Sequence, residues 1–464
     1  MSEFKLDRRS VVGGLAGSTL LLGASGRALA QDGGQTQPNI IFIMADDLGY
    51  ADLGCTGSRY ARTPHIDSIA RNGLLLTQGY SNSSICSPTR TGLLSGCYQY
   101  RFPVGLEEPL GPTAPEGIGL PAERRTIAEV LRERGYETAL VGKWHLGSPP
   151  AQGPLAYGYD HFLGITGGAA DYFRHRVVIG GEEEGPNLFE GNSEIERVGY
   201  LTDLFGDEAV NRIREKTKPI FLSLHFTAPH WPWEGREDEM VAEQLRDFRH
   251  HDGGNLQTYY DMISAMDDNV GKVLTALREA GELENSIVIF TSDNGGERFS
   301  DTWPFTGMKA ELLEGGIRVP ILVQWPERIA PGSISEQVMI SMDFLPTLYS
   351  IAGGRPAESE FDGIDLSGQL LGDRMVVERT LYWRMKAHQQ AAVRNGDWKY
   401  LKLGDKEYLF NLSEDPRERA VLNDLYPKKL QELKLAWSDW NEQMLPYPLS
   451  SYSWDNKDYS PDRY

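Results

Sequence analysis

The strongest constraint on the fold is a set of four short runs that are mainly apolar. They lie at 39–44, 219–226, 286–291 and 317–324. A strand with one face in water alternates apolar and polar residues, so a run that is apolar at most positions predicts a strand buried on both faces. Residues 259–280 carry apolar side chains at helical spacing. Buried strands that alternate with amphipathic helices predict an α/β fold, in which helices sandwich a large, mixed and mainly parallel sheet.

The pattern changes after about residue 351. Four short segments separated by turn residues predict an antiparallel sheet, and a helical segment follows them. The strand segments are 379–386, 390–394, 398–403 and 408–411, and the helix is 428–442. We therefore expect a main domain at 38–350. A smaller C-terminal α+β subdomain at 351–464 would be built on the antiparallel sheet and end in a Tyr-rich tail.

The first thirty residues have the features of an export signal. Arg8 and Arg9 precede an uncharged, Gly-rich apolar run, and the small residues Ala28 and Ala30 are suited to a signal peptidase. The apolar run is shorter than the ~20 residues that span a bilayer, which argues against a membrane anchor. We expect a twin-arginine signal peptide at 1–30, a polar linker at 31–37, and a periplasmic or secreted protein with no membrane attachment after cleavage.

Charge and cysteine content exclude some classes of protein. The chain has 46 Lys and Arg against 66 Asp and Glu, a net charge of −20, so it lacks the basic surface that nucleic acid requires. The acidity does not exclude a small anionic substrate, because binding responds to the local field. Three cysteines in 464 residues do not make a disulfide scaffold. Of these, Cys55 and Cys97 are expected to be small buried thiols rather than a disulfide.

Oxygen-bearing side chains follow two of the apolar runs. Asp46 and Asp47 come just after the first run, and Asp293 and Asn294 come just after the third. Ligands bind beyond the carboxyl ends of parallel strands, where these residues would meet. An oxygen-only set suits Ca²⁺ or Mg²⁺ rather than zinc. Each pair taken singly could also be an ordinary strand-end cap.

A second set of residues is cationic or titratable. Arg90, Lys143 and Lys309 supply positive charge, and His145 and His230 supply imidazoles. Together with a metal ion, such groups would hold a tetrahedral oxyanion and stabilise charge that develops on it.

The segment Cys86-Ser87-Pro88-Thr89-Arg90, followed by Thr-Gly, resembles the signature of type I (formylglycine-dependent) sulfatases, members of the alkaline phosphatase superfamily. Further segments are similar to that family's landmarks and occur in the same order. They are 39–47, 142–145, 293–296, 314–320 and 409–416. The resemblance implies a sulfuric ester hydrolase with an alkaline phosphatase-like fold, whose catalytic domain would be the main domain at 38–350.

The resemblance also implies the cofactors. A formylglycine-generating enzyme would oxidise Cys86 to Cα-formylglycine. Ca²⁺, in preference to Mg²⁺, would be bound by the modified residue 86 and four side chains, Asp46, Asp47, Asp293 and Asn294. The hydrated aldehyde has two hydroxyls on one carbon, of which one attacks sulfur and expels the alcohol and the other expels sulfate.

Roles for the cationic set follow from the same resemblance. Arg90 would orient the hydrate, and four residues would line the sulfate, namely Lys143, His145, His230 and Lys309. His230 or Lys309 would serve the leaving oxygen, and His145 would take the proton of the second hydroxyl. The division of acid and base between the two histidines stays open.

The substrate is expected to be a sulfated carbohydrate. Loops rich in aromatic and basic residues place Arg174, His175, Trp231 and Trp303 as candidate sugar contacts. The overall acidity favours short sulfated oligosaccharides or chain ends over internal sites of long polyanions. Three alternatives remain open: a broad arylsulfatase, a phosphoesterase of the same superfamily, and a non-catalytic sulfoglycan-binding protein.

Overall fold

The computed structural model describes residues 37–453 except 112, 113, 115, 116, 185, 186, 248–252 and 358. The expected signal peptide at 1–30, the linker up to residue 36 and the end of the tail lie outside these residues. The strands are β1 Asn39–Ala45, β2 Leu74–Leu76, β3 Gly79–Tyr80, β4 Glu137–Gly142, β5 His161–Ile165, β6 Val177–Ile179, β7 Glu182–Glu184, β8 Leu188–Glu190, β9 Ser193–Glu194, β10 Ile220–His225, β11 Ser286–Ser292, β12 Ile321–Gln324, β13 Ser333–Ser335, β14 Met339–Ile340, β15 Thr380–Met385, β16 Gln390–Asn395, β17 Trp398–Leu403 and β18 Lys406–Asn411. The helices are α1 Pro64–Arg71, α2 Cys86–Ser95, α3 Ile127–Glu133, α4 Leu201–Glu215, α5 Glu239–Ala242, α6 Leu256–Glu279, α7 Glu314–Ile317, α8 Phe344–Ile351, α9 Ser367–Leu370 and α10 Pro427–Asn441.

The main sheet has ten strands in the order β13-β2-β12-β11-β1-β10-β4-β5-β8-β9. Its centre, from β11 through β1, β10 and β4 to β5, is parallel. The prediction of a mixed, mainly parallel sheet is confirmed. The run at 317–324 differs from its prediction in one respect: residues 314–317 form the helical turn α7, so β12 begins only at Ile321, and it is antiparallel to β11.

Both faces of the sheet are covered, which explains why the runs are mainly apolar. Ile41 and Ile43 of β1 pack into a core with α1, α4 and α6. Ile40 and Phe42 point to the other face and pack with α2, α3 and α8. Full burial of one such side chain contributes about 1.5–3 kcal/mol, so a polar residue inside these strands would be costly.

The C-terminal subdomain is a four-stranded antiparallel sheet, β15-β16-β17-β18, as predicted. One face, through Val393 and Tyr400, packs against Leu433 of α10. The opposite face, which carries Trp383, packs against Tyr80 of the main domain. The antiparallel sheet is thus a layer between α10 and the main domain.

None of the helices in the described part of the chain is both long enough and apolar enough to cross a membrane.

Candidate active site

The parallel pairing of β1 and β11 brings the predicted oxygen ligands to one place. The two strands are in register through Ala45 and Ser292, so the residues that follow them emerge side by side. The Asp47 N–H donates to Asp293 Oδ1 at 3.3 Å, and Asn294 Nδ2 donates to Asp47 Oδ1 at 2.7 Å. All four predicted ligands, including Asp46, are buried.

Cys86 is the first residue of α2 and points at these carboxylates. Its Sγ lies 3.3 Å from Asp46 Oδ1 and 3.9 Å from Asp47 Oδ1. Burial, together with the charge of Asp46, raises the pKa of the Cys86 thiol well above its ordinary value. A thiol that cannot ionise is a poor nucleophile, so unmodified Cys86 is unsuited to attack here.

Each of the three predicted cations is paired with one carboxylate of the site. Arg90 lies one turn after Cys86 and holds Asp293 Oδ2 through Nε at 3.2 Å and Nη2 at 2.9 Å. Lys143 Nζ pairs with Asp46, and Lys309 Nζ lies 2.6 Å from Asp47 Oδ2. The structure therefore brings together Cys86 and the three basic residues, all of which are buried.

The two histidines lie close enough to Lys143 and Lys309 to feel their charge, and they contact backbone carbonyls through different ring nitrogens. His145 Nε2 lies 2.9 Å from the Leu110 carbonyl, and its buried Nδ1 has no hydrogen-bond partner among the described residues. His230 Nδ1 lies 2.7 Å from the Trp231 carbonyl, and its Nε2 lies 3.5 Å from Asp47 Oδ2. A carbonyl can only accept, so both contacts fix the proton on the bonded nitrogen.

Burial is the main reason why the pKa values of both histidines are low. Burial, reinforced by Lys143, holds the pKa of His145 well below its usual range. Burial, reinforced by Lys309, does the same to the pKa of His230. Both rings are therefore neutral near pH 7, and each directs a bare nitrogen away from its carbonyl.

Pairing with the three cations does not offset the burial and mutual repulsion of the carboxylates. Burial and the neighbouring Asp293 raise the pKa of Asp46 to about 8, although Lys143 opposes the shift. The buried Oδ1 of Asn294 accepts no hydrogen bond from the described residues. Ligand atoms of Asp46, Asp47, Cys86 and His230 all lie within 4.8 Å of one another. A divalent cation fits this set, because it would neutralise the carboxylates and coordinate the amide oxygen.

Three further groups at the site were not identified from the sequence. Glu297 Oε2 lies 3.4 Å from Lys309 Nζ, and the Leu110 carbonyl binds His145 as described. His225, the last residue of β10, lies behind Arg90, with Nδ1 3.4 Å from Nη1. His225 and Glu297 both lie near the carboxyl ends of parallel strands, so the strand-end rule could have found them. No local signal marks Leu110.

Of the four predicted sugar contacts, Trp231 lies beside pocket residues and Trp303 is exposed to solvent. The Trp231 ring is 4.1 Å from the His230 ring, and Lys309 Nζ lies 5.7 Å from the Trp231 ring centroid. Trp303 is 52% exposed, and the Arg417 guanidinium lies 4.9 Å from its ring centroid.

The structure does not bring the other two, Arg174 and His175, into contact with the pocket residues. Arg174 donates through Nε to Asp171 Oδ2 at 2.9 Å and through Nη2 to the Ala242 carbonyl at 2.7 Å. His175 is buried, and its Nε2 lies 2.9 Å from the Gly199 carbonyl. The sequence indicated their chemistry but not these local partners.

Comparison with known proteins agrees with this geometry. The family model described as Sulfatase matches residues 38–354, and that of the N-sulphoglucosamine sulphohydrolase C-terminal region matches residues 308–438. The chain is 34% identical over 411 residues to arylsulfatase A of Homo sapiens, covering 82% of this chain and 77% of the relative. It is 32% identical over 397 residues to N-acetylgalactosamine-6-sulfatase of Canis lupus familiaris, covering 80% and 73%.

A solved structure extends the likeness to nearly the whole chain. The crystal structure of Ps i-CgsB in complex with k-i-k-neocarrahexaose superposes with a TM-score of 0.80 at 28% identity, covering 90% of this chain and 95% of that one. The chain therefore belongs to the sulfatase family, within the alkaline phosphatase-like superfamily, and is a sulfuric ester hydrolase.

Proposed function

We propose that this sulfatase hydrolyses sulfate esters of carbohydrates, using residue 86 as Cα-formylglycine beside a bound Ca²⁺. The observation that carries the proposal is the environment of Cys86, a buried, un-ionised thiol placed 3.3 Å from a carboxylate oxygen where a hard oxygen nucleophile is needed. Oxidation to the aldehyde and hydration would replace the sulfur by oxygen at this position. The hydrate supplies two hydroxyls on one carbon, one for attack on sulfur and one for release of sulfate.

Calcium would be held by Asp46, Asp47, Asp293 and Asn294. The proposal is supported by the raised pKa of Asp46, which burial and Asp293 cause, and by the unpartnered Oδ1 of Asn294. When bound, the ion supplies Lewis-acid stabilisation of negative oxygen in a water-poor pocket.

Arg90 would orient residue 86 and the ligands around it. Its guanidinium is fixed on two sides, by Asp293 Oδ2 at 2.9 Å and by the Lys143 carbonyl at 2.8 Å. A planar group held in this way keeps Asp293 and the first turn of α2 in one geometry.

Lys143 and Lys309 would bind the sulfate oxygens from two sides. For the leaving oxygen, the hydrogen bonds favour Lys309 over His230 as the proton donor. The proton of His230 is held on Nδ1 by the Trp231 carbonyl, so its Nε2 has none to give while the ring is neutral. Trp231 lies against both groups and would form the wall that the sugar meets.

The depth of the site favours small or terminal substrates. Lys143 and Cys86 are 0% and 2% exposed, so the sulfate group must reach into a narrow pocket. Trp231 at the pocket and the exposed Trp303 offer flat faces for sugar rings. The named relatives that act on or bind sugars support the same class of substrate. We propose Trp231 and Trp303 as the main sugar contacts, since Arg174 and His175 hydrogen-bond to neighbouring groups of their own loop and of nearby segments.

A broad arylsulfatase is the second candidate, favoured by the likeness to arylsulfatase A. The two candidates separate in a substrate screen. Protein coexpressed with a formylglycine-generating enzyme is incubated with sulfated mono- and oligosaccharides and with an aryl sulfate, and free sulfate is measured. We expect higher kcat/KM on a sulfated sugar. Turnover of the aryl ester alone would contradict the carbohydrate assignment.

We also propose export by the twin-arginine route to the periplasm or beyond. This route carries folded proteins, so residue 86 would be modified before transport. Replacing Arg8 and Arg9 by lysine should leave active enzyme in the cytoplasmic fraction. Normal export of that variant would contradict the route.

A further inference from the structure

The orientation of His145 depends on one backbone carbonyl. The Nε2–H donates to Leu110 O at 2.9 Å, which leaves Nδ1 bare and buried without a partner among the described residues. The ring is also confined from the side, because a Cβ at Gly168 would come within 2.6 Å of its Cε1. The backbone of His145 has a φ of 60°, a conformation that non-glycine residues adopt only when their surroundings impose it.

Leu110 belongs to a segment without regular structure that is held on two sides. On the inner side, the Leu110 N–H donates to Ser87 Oγ at 2.8 Å, next to residue 86. On the outer side, Leu110 forms an antiparallel bridge with Ser453, and the Gly111 N–H donates to the Tyr452 carbonyl at 2.9 Å. The carbonyl that fixes His145 is therefore held in place by a segment more than 340 positions later in the chain.

Two serines of the tail secure this bridge through Glu107. Ser453 Oγ donates to Glu107 Oε2 at 2.7 Å and accepts the Glu108 N–H at 2.7 Å. Ser451 Oγ lies 2.9 Å from the same Glu107 oxygen. Glu107 is buried, while both serines are partly exposed. A buried carboxylate that accepts two hydroxyls is a specific anchor for a chain end.

We infer that the tail segment 451–453 is a positioning element for catalysis, which acts through Glu107 and the Leu110 carbonyl to keep His145 in the tautomer that has Nδ1 bare. The inference rests on the proposed function for its catalytic meaning, but the tautomer itself does not. In turnover, Nδ1 accepts the proton of a hydroxyl while Nε2–H stays on Leu110 O, and the imidazolium later loses the Nδ1 proton to water. With the opposite tautomer, Nδ1 would carry a proton and could not act as the base.

The first test measures the tautomer by NMR of ¹⁵N-histidine-labelled protein with Cys86 unmodified, which needs no activity. His145 is assigned by comparison with His145→Gln. In the wild type we expect a proton-bearing Nε2 and a bare Nδ1. In Ser451→Ala/Ser453→Ala we expect both nitrogens to shift towards values averaged over two tautomers, with a folded spectrum elsewhere.

Matched variants make the outcome specific. Ser450→Ala removes an exposed hydroxyl from the same segment and should retain the wild-type shifts. Ser453→Thr keeps the hydroxyl and should also retain the wild-type shifts. Glu107→Gln tests the same link without changing the tail and should resemble the double variant. Wild-type shifts in both the double variant and Glu107→Gln would overturn the inference.

The second test uses modified, active enzyme. For Ser451→Ala/Ser453→Ala we expect kcat to fall about tenfold or more with KM within about twofold, since a misplaced base weakens a step without weakening binding. If the wild type hydrolyses no sulfate ester, the proposed function fails while the NMR result stands. If the wild type is active and the double variant has the same kcat, the positioning role alone is overturned.

Discussion

The protein contains two buried clusters of charge that are built in opposite ways. In the C-terminal charge cluster, defined here as Glu314, Arg318, Lys399 and Glu418, two basic side chains pair directly with two carboxylates. Lys399 Nζ lies 2.9 Å from Glu314 and 2.8 Å from Glu418, and Arg318 lies 3.0 Å from Glu314. Burial acts to raise the pKa of Glu314, but Lys399 and Arg318 outweigh it and lower that pKa to about 2.

In the pocket around Cys86 the net effect on the pKa of a buried carboxyl is the opposite. Three carboxylates meet there, and the pKa of Asp46 is raised to about 8 by burial and by Asp293 despite Lys143. Asn294 Oδ1 and His145 Nδ1 are buried without partners among the described residues. In the C-terminal charge cluster, burial and Glu314 also raise the pKa of Glu418, to about 7. The clusters therefore differ in Glu314, which its cations keep ionised, and in the unpartnered Asn294 and His145 atoms, which could meet an ion and a substrate.

The largest expected effect is a loss of activity on substitution in the pocket around Cys86, with little loss of stability. Cys86→Ala should reduce kcat/KM by at least about 10⁴-fold, because it removes the nucleophile, and should change the free energy of unfolding by only about 1 kcal/mol. Cys97→Ala, which removes another buried free thiol, is the matched control and should stay active. Sulfate release and chemical denaturation measure the two quantities. Retained turnover in Cys86→Ala would refute the assignment.

The next effect is on stability. Glu314→Gln should cost about 3–5 kcal/mol at pH 7, because it leaves Lys399 and Arg318 short of a buried partner. The folded-state pKa of Glu314 is below its ordinary value of 4.5, so its contribution is full above pH 4.5 and is lost as the pH falls towards 2. Urea denaturation from pH 7 down to pH 3 should show the two proteins converging. An equal gap at all pH values would contradict the ionised state.

Calcium should stabilise the pocket and leave the cluster unchanged. At a free concentration 100 times Kd, binding adds about 2.7 kcal/mol, which raises Tm by several degrees. Asn294→Ala should lose most of this shift, and Glu314→Gln should keep it despite its lower starting Tm. Differential scanning calorimetry with calcium and with a chelator measures both. A full shift in Asn294→Ala would remove that residue from the site.

The smallest effect concerns Trp303, the exposed side chain that we propose as a sugar contact. Trp303→Ala should raise KM for a sulfated oligosaccharide about fivefold to tenfold, roughly 1 kcal/mol, with kcat unchanged. An aryl sulfate, which is too small to reach the exposed ring, should be turned over as before. Steady-state kinetics on both substrates tests this, and an equal loss on the two would assign Trp303 a structural role.

The sheet and the pocket could be predicted from the sequence because both follow from local rules. Mainly apolar runs predict β1, β10 and β11, and the residues at the carboxyl ends of these neighbouring parallel strands must lie close together. The prediction starts β12 too early, because Ile317, Val319 and Pro320 extend the apolar composition of the strand although only Ile321–Gln324 pair in the sheet. The helix α4 was not recognised, although its buried face completes one core.

Contacts between distant segments left no local signal. The bond from His145 to Leu110, and the bridge from Leu110 to Ser453, depend on tertiary packing alone. The charge of Arg174 makes it a candidate sugar contact, and in the structure Asp171, three residues earlier, pairs with it at 2.8 Å. Residue types therefore predicted the chemistry of the pocket better than they predicted which side chains have partners.

The central claim is that residue 86 is an oxidised cysteine in the working enzyme. Mass spectrometry of the peptide that contains residue 86, from protein isolated from its native cell, tests it most directly. We expect the mass of Cα-formylglycine and reaction of that peptide with a hydrazine probe. An unmodified cysteine at position 86 in protein that still releases sulfate from its substrate would contradict the account.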